Sequence, residues 1–419
     1  MARSTAHHIL CLWDPDKRWA EDLLQQHANH LRDDDRRFAN RLVIGTLKSL
    51  RTLDYVLAPR LRDGLDSVSN ETLWALRLGV EQLLHTRVPS HAAVAETVDL
   101  VGRNQRGFVN AILRRIGRES QTIATELRNA PADIRHSIPR RLFKRWIKLY
   151  GENEAEKLAE FINQPAPTTF VINTLHAGVL EKLANDNIEF HELPKHPGYF
   201  ETLNGAPIPD AWFAEGLIYA QDPAAAIAVK ALAPQPDETI LDCCAAPGGK
   251  TFLIARSINN HGTVIASDND PKRAERLRNN CERLGITCAN IEIADWTSAE
   301  ASDHVTVPPA VIIDAPCSNT GVLRRRVDAR YRSSAIEPSS ISRLQKSLLR
   351  NVLTRLPSGG RCVYSTCSIE PEENGESVRH VVNQLTQNAG LHFDLSKESQ
   401  TLPHRDGIDG HYSVLITKR

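Results

Sequence analysis

From Gly216 to the C-terminus, short apolar runs alternate with stretches of helical spacing, and this alternation constrains the fold more than any other feature of the chain. The runs at 239–243, 263–268, 290–294, 310–314, 361–365 and 413–417 read as buried strands that stop at turn residues. Between them, 251–258, 271–284, 341–355 and 372–385 repeat apolar side chains at helical intervals. Strand–helix alternation predicts a mostly parallel, Rossmann-like α/β sheet with helices on both faces. In such sheets ligands collect outside the carboxyl ends of the strands. The residues that end each strand are therefore the candidates for chemistry.

The front of the chain has a different pattern. Leu47, Leu50, Leu53 and Leu57 share one helical face, as do Leu73, Leu76, Val80, Leu83 and Leu84, and Val109, Ile112, Leu113 and Ile116. Ser69-Asn70-Glu71 suits a helix start, and Val88-Pro89 a helix stop. Residues 1–133 are thus expected to form an all-helical domain whose apolar stripes are core. From 134 to 215 the pattern changes again: a basic helix at 140–150, an acidic one at 152–161, a possible strand at 168–173, then a proline-rich stretch. This reads as a small α/β module, with the large α/β domain occupying 216–419.

Charge is balanced overall, with 51 Lys+Arg and 51 Asp+Glu, yet 103–148 carries twelve Arg/Lys against Glu119, Glu126 and Asp133. Such a block suits an anionic partner, nucleic acid first, although charge runs are often only solvated helix surfaces. Eight cysteines without a secretory pattern or a C-x-x-C pair point to a reducing cytoplasm and argue against structural zinc. No apolar stretch is long enough to span a membrane. The expectation is a soluble, cytoplasmic monomer that needs no metal.

Cys244-Ala245-Ala246-Pro247-Gly248-Gly249-Lys250 follows the first strand of the large domain. Although Gly249-Lys250-Thr251 resembles the end of a phosphate-binding loop, the glycine required six positions before the lysine is Cys244. The dinucleotide pattern G-x-G-x-x-G is absent as well. Acids do stand near the next two strand ends: Asp268, suited to ribose hydroxyls, and Asp295, suited to an adenine amino group. Taken singly, each could be a turn residue. Together with a glycine turn and no phosphate cradle they favour S-adenosylmethionine.

Two further strands end in cysteine. Cys317 closes Asp314-Ala315-Pro316-Cys317-Ser318, and Cys367 closes Ser365-Thr366-Cys367-Ser368. Free cysteines are usually small buried hydrophobes, the reading for Cys11, Cys281, Cys288 and Cys362. Two strand-end thiols beside a methyl-donor loop fit methylation at carbon 5 of cytosine. That carbon becomes nucleophilic only after a thiolate adds to carbon 6, and a second thiol can then serve as base. Asp314 could hold the edge of the base.

With these motifs the chain resembles the RNA cytosine-C5 methyltransferases of the NOL1/NOP2/Sun group. The resemblance rests on 314–318 followed by Gly321, on 366–368 followed by Pro371-Glu372-Glu373-Asn374, and on 244–250. It implies that Cys367 is the nucleophile and Cys317 the resolving cysteine. It also implies that the 244–250 loop, Asp268, Asp295 and Asp314 lie against S-adenosylmethionine. Residues 38–118 look like the NusB-like helical domain of the bacterial Sun/RsmB type, which methylates a cytosine of 16S ribosomal RNA. The fold then implied is a NusB-like RNA-binding domain, a small α/β linker module, and a methyltransferase domain. A tRNA substrate and a non-catalytic antitermination factor are the alternatives, the latter opposed by the two intact cysteines. Val171, where the group has arginine, and Gly410-His411-Tyr412, where it has a glycine-aromatic-aromatic run, depart from the pattern.

Overall fold

Three consecutive acids, Asp33, Asp34 and Asp35, open the long helix Asp33–Leu57, where carboxylates complement the positive end of the helix dipole. Ala2–Leu12 and Asn70–His85 pack on it, and Arg103–Arg118 packs on Asn70–His85. Leu53, Leu57, Leu76, Val80, Val109, Leu113 and Ile116 share one core, while Ile9 and Leu10 join Leu42 and Leu47 in another. Ser69 caps Asn70–His85 through its hydroxyl, which accepts from Thr72 N. The predicted helix start and the three apolar stripes are thus present. The computed structural model describes residues 1–186 and 188–419.

The large sheet has the strand order β10-β11-β9-β8-β5-β6-β7. Its strands are β5 (Thr239–Asp242), β6 (Thr263–Asp268), β7 (Ala289–Ile293), β8 (Ala310–Asp314), β9 (Arg361–Thr366), β10 (Phe393–Thr401) and β11 (His411–Lys418). Strands β5 to β9 run parallel to one another; β11 is antiparallel to β9, and β10 to β11. Strand order reverses at β5, which has β6 on one side and β8 on the other. That topological switch point opens a crevice at the carboxyl ends of both strands.

A second sheet, β2-β3-β1-β4, is antiparallel where its pairs are formed. It comprises β1 (Thr169–Ile172), β2 (Phe190–Glu192), β3 (Phe200–Thr202) and β4 (Ile218–Ala220). Because β4 belongs to this small sheet, the expected boundary between 215 and 216 cuts through it.

The chain divides into two compact units, 1–164 with 323–336, and 165–322 with 337–419. The expected break after 133 falls inside the first unit, because helices Arg140–Tyr150 and Glu152–Phe161 belong to it. The segment 323–336 departs furthest from the sequence reading. It follows the Cys317 loop, yet it packs among the N-terminal helices. There Val327 joins their core and Asp328 Oδ2 accepts from Ala20 N at 2.8 Å. The fully buried Arg330 donates to Asn163 Oδ1 at 3.1 Å. Ser333 N and Oγ donate to Asp16 Oδ1 at 2.8 and 2.9 Å. Among the described residues no helix is long and apolar enough to cross a membrane, and no group of three or more His, Cys, Asp or Glu is placed to hold a metal.

Candidate active site

Parallel pairing of β8 and β9 sets Asp314 opposite Ser365, and Ala315 N donates to Ser365 O at 2.8 Å. The loops leaving the two strands therefore start side by side. Three residues on in one and two in the other, Cys317 Sγ and Cys367 Sγ stand 3.1 Å apart, both thiols free and partly buried. Fifty residues of sequence separation are closed by register alone. Cys317 has its thiol held well above the usual range, first by its hydrogen bond to Cys367, then by burial, with the Cys367 and Glu373 charges adding.

The two loops are also pinned to each other. Gly321 N donates to Cys367 O at 3.0 Å, and Gly410 N donates to Gly321 O at 2.8 Å. A side chain at Gly321 would place its Cβ 2.7 Å from the Cys367 carbonyl oxygen and closer still to that of Gly410. Asn319 adopts φ 61, a left-handed conformation that Asn tolerates. From there its amide donates to Cys317 O at 3.0 Å and its Oδ1 lies 3.2 Å from Cys367 Sγ. Nothing in the sequence pattern singles out Asn319.

Glu373, fully buried, was also passed over. Its carboxylate accepts from Ser318 N at 2.8 Å, Ser368 Oγ at 2.8 Å, Gln345 Nε2 at 3.1 Å and the Ser318 hydroxyl. Burial pushes its pKa upward while the Ser318 and Ser368 donors pull it down. Next to it, Asn374 Nδ2 donates to Ser368 O at 2.9 Å and its Oδ1 accepts from Thr366 Oγ1 at 2.6 Å. The motif quoted at 371–374 was the only sequence signal for either residue.

Asp314 sits at the carboxyl end of β8, paired with Lys250 Nζ at 2.5 Å and accepting from Ser365 Oγ at 3.2 Å. The cation of the 244–250 loop is thus joined to the acid beside the thiols. His411, the first residue of β11, is buried near this pair; burial and then the Lys250 charge hold it down to about 3. It is therefore a neutral imidazole, and its Nε2 has no hydrogen-bond partner.

The loop itself turns through Gly248 at φ 112, after which the helix Gly249–Ser257 begins. Ala245 N is tied to Ser267 O at 2.9 Å. A Cβ at Gly249 would stand 2.9 Å from Gln221 Nε2, the tip of a side chain that can move aside. Cys244 has its thiol pushed up by burial, an inert environment rather than a reactive one. Asp268 ends β6, almost fully buried; Arg273 Nη2 approaches its Oδ2 at 3.3 Å without a hydrogen bond. Asp295 lies two residues past the end of β7, and its Oδ1 accepts from Thr297 N at 2.9 Å and Thr297 Oγ1 at 2.7 Å. That is the local turn role, which leaves room for only its other oxygen to do more.

Asp242 was not singled out in the sequence. It is fully buried at the end of β5; Thr251 Oγ1 donates to its Oδ2 at 2.8 Å, while its Oδ1 has no hydrogen-bond partner. Burial raises its pKa to about 7, against the opposing pull of Thr251 and Lys250. A carboxyl whose folded pKa lies above its unfolded value contributes stability at low pH and loses it as pH rises through the folded pKa. The stability of the ligand-free wild type relative to Asp242→Asn is therefore expected to fall between pH 5 and 8, by roughly 3 kcal/mol. Thermal melts of the two proteins across that window check this; parallel curves would show that Asp242 does not titrate there.

The expected basic block is only partly free. Arg106 pairs with Asp99, Arg115 with Glu119 and Arg135 with Glu156. Arg103, Arg114, Arg118, Arg140, Arg141, Lys144 and Lys148 have no ion pair among the described residues. Residues 324–326 are three consecutive arginines, of which Arg324 lies over the Phe161 ring at 4.6 Å and Arg326 over Trp19 at 5.1 Å. Both contacts help seat the 323–336 segment within its helical unit.

The chain is similar to known proteins along nearly its whole length. Residues 229–416 match the family described as 16S rRNA methyltransferase RsmB/F, and residues 1–118 match the NusB family. The probable ribosomal RNA small subunit methyltransferase B of Bacillus subtilis is 30% identical over 94% of this chain and 92% of its own length. Ribosomal RNA small subunit methyltransferase B of Salmonella arizonae is 32% identical over 92% of this chain and 91% of its own length. The crystal structure of PH0851 has the same fold, with TM-score 0.76 and 23% identity over 100% of this chain and 99% of that one. Matched almost end to end by such relatives, the chain belongs to the 16S rRNA methyltransferase RsmB/F family.

Proposed function

We propose that this protein transfers a methyl group from S-adenosylmethionine to carbon 5 of a cytosine in 16S ribosomal RNA. The observation that carries the reading is the pair of free thiols 3.1 Å apart at adjacent strand ends, beside the Asp314–Lys250 pair. The crevice also fits the methyl donor. Asp242 Oδ1 and Asp268 Oδ2 are buried oxygens without hydrogen-bond donors, and buried acceptors of this kind are costly unless a ligand satisfies them. An amino group and ribose hydroxyls supply the donors that these two carboxylates lack, a sulfonium adds positive charge, and no phosphate cradle is needed. When bound, the cofactor supplies an electrophilic methyl group; the 244–250 loop, Asp242, Asp268 and Asp295 are the residues proposed to hold it.

The protein side of the reaction follows from the geometry. Cys367 adds as a thiolate to carbon 6, and the electron pair this places on carbon 5 attacks the methyl group. Asp314 offers an acceptor and Lys250 a donor, matching the amino group and ring nitrogen on one edge of cytosine. Cys317 keeps its proton at first, because its hydrogen bond to Cys367 is the largest cause holding it protonated. Once Cys367 is bonded to carbon, that cause and the Cys367 charge are gone, and Cys317 gives up its proton to water more readily. It then takes the proton from carbon 5; the ring double bond re-forms and the carbon–sulfur bond breaks, releasing Cys367 as thiolate. Attack on a ring face requires a cytosine that is unpaired or turned out of its stack.

The unpaired cations of the helical unit suit RNA phosphates, and a ribosomal substrate would place the enzyme's work in the cytoplasm. Small-subunit RNA from a strain lacking this chain should gain one bisulfite-resistant cytosine when incubated with the protein and S-adenosylmethionine. No gain at any position would overturn the reading.

A further inference from the structure

We infer that Glu373 is a positioning residue that sets the separation of the two catalytic thiols. The inference rests on the proposed roles of Cys317 and Cys367 and deepens them. The carboxylate accepts hydrogen bonds from both loops. On one side it takes the amide and hydroxyl of Ser318, the residue directly after Cys317. On the other it takes the hydroxyl of Ser368, the residue directly after Cys367. A fourth bond, from Gln345 Nε2, anchors it to helix Ser339–Arg355, and the same amide nitrogen donates to Pro316 O at 2.9 Å, just before Cys317.

The surrounding bonds leave little slack. Ser318 Oγ and Thr320 Oγ1 lie 3.2 and 3.1 Å from Ser368 Oγ, and Ser368 Oγ accepts from Glu370 N at 3.1 Å. Tyr364 of β9 holds the Glu373 backbone by donating its hydroxyl to Glu373 O at 2.7 Å. Each thiol is thus one residue from a bond to the same carboxylate. Glu373 does not need to touch the substrate or change protonation to matter; it needs to accept from both sides at once. Glutamine keeps only half of this: with its oxygen at the Oε1 position it still accepts both hydroxyls. Its amide nitrogen then faces the Ser318 N and Gln345 Nε2 donors, so the bonds that fix the carboxylate against the Ser318 backbone and helix Ser339–Arg355 are lost.

The two sulfurs themselves report their separation. Diamide, a diazene, takes the two thiol hydrogens with their electrons and becomes the hydrazine as the sulfur–sulfur bond forms. At 3.1 Å the wild-type pair needs only a small closure to reach the roughly 2.05 Å of a disulfide. Glu373→Gln in the full chain is expected to close the Cys317–Cys367 disulfide at least tenfold more slowly. With RNA and S-adenosylmethionine it should form the covalent adduct but release methylated product at least tenfold more slowly, with S-adenosylmethionine affinity unchanged. Closure and release at wild-type rates in a folded Glu373→Gln protein would overturn the inference. If that variant does not fold, the double variant Ser318→Ala/Ser368→Ala removes two of the donors and is judged by the same rates. Disulfide closure is measured without RNA, so it decides the positioning claim even if the methyl-transfer reading fails.

Discussion

Cys317→Ala should methylate its RNA once and then stop, leaving enzyme and RNA joined on a denaturing gel. Cys367→Ala should form no adduct and lose activity by at least about three orders of magnitude, because the thiol assigned to attack carbon 6 is gone and Cys317 is assigned to the proton on carbon 5. The contrast follows from two sulfurs 3.1 Å apart serving one base: one makes the bond to carbon, the other removes the proton that must leave before that bond can break. Both variants delete a partly buried sulfur and should fold. A freely turning-over Cys317→Ala enzyme would refute the two-thiol mechanism, and an adduct in Cys367→Ala instead would reverse the assignments.

Gly321→Ala should be nearly as damaging, although position 321 carries no chemistry. The added Cβ meets backbone carbonyls of Gly410 and Cys367, neither of which can swing aside like a side-chain tip. The Gly321 N to Cys367 O bond must lengthen or break, and the nucleophile moves with it. A displacement of about 1 Å at a reacting group can cost on the order of 100-fold in rate. We therefore expect kcat to fall by about that factor with KM for S-adenosylmethionine little changed, since the 244–250 loop is not involved. Steady-state kinetics with tritiated donor decide it; a wild-type kcat would mean the loops absorb a methyl group without moving Cys367.

Local pattern made much of this legible. All six expected strands of the large domain are present, because apolar β-branched runs between helices leave few alternatives, and both cysteines lie where strand-end logic puts them. What escaped depends on long-range contact. β10, with Lys397 and Glu398 on an exposed edge, has no apolar alternation to betray it. Helix Glu152–Phe161 looked like part of a middle module because no periodicity says which neighbour a helix will choose. Asp242 resembled any strand-end acid until its burial and orphaned oxygen were seen. Glu373 differs from Glu372 beside it only in what folds around it.

The segment 323–336 bears on how this protein can be taken apart. A cut at 164/165 looks like a natural way to obtain the sheet unit by itself, yet the product would carry a stretch whose partners had been discarded. Val327 and the Arg330 guanidinium, both buried in the whole chain, would be stripped of the helices that cover them. The complementary fragment would fare no better, with an open seat where Asp328 met Ala20 and Ser333 met Asp16. Since only Ser318–Val322 separate Cys317 from that stretch, unravelling it would loosen the very loop an isolated fragment is made to study. Deletion work on this protein is better designed around three junctions than around one.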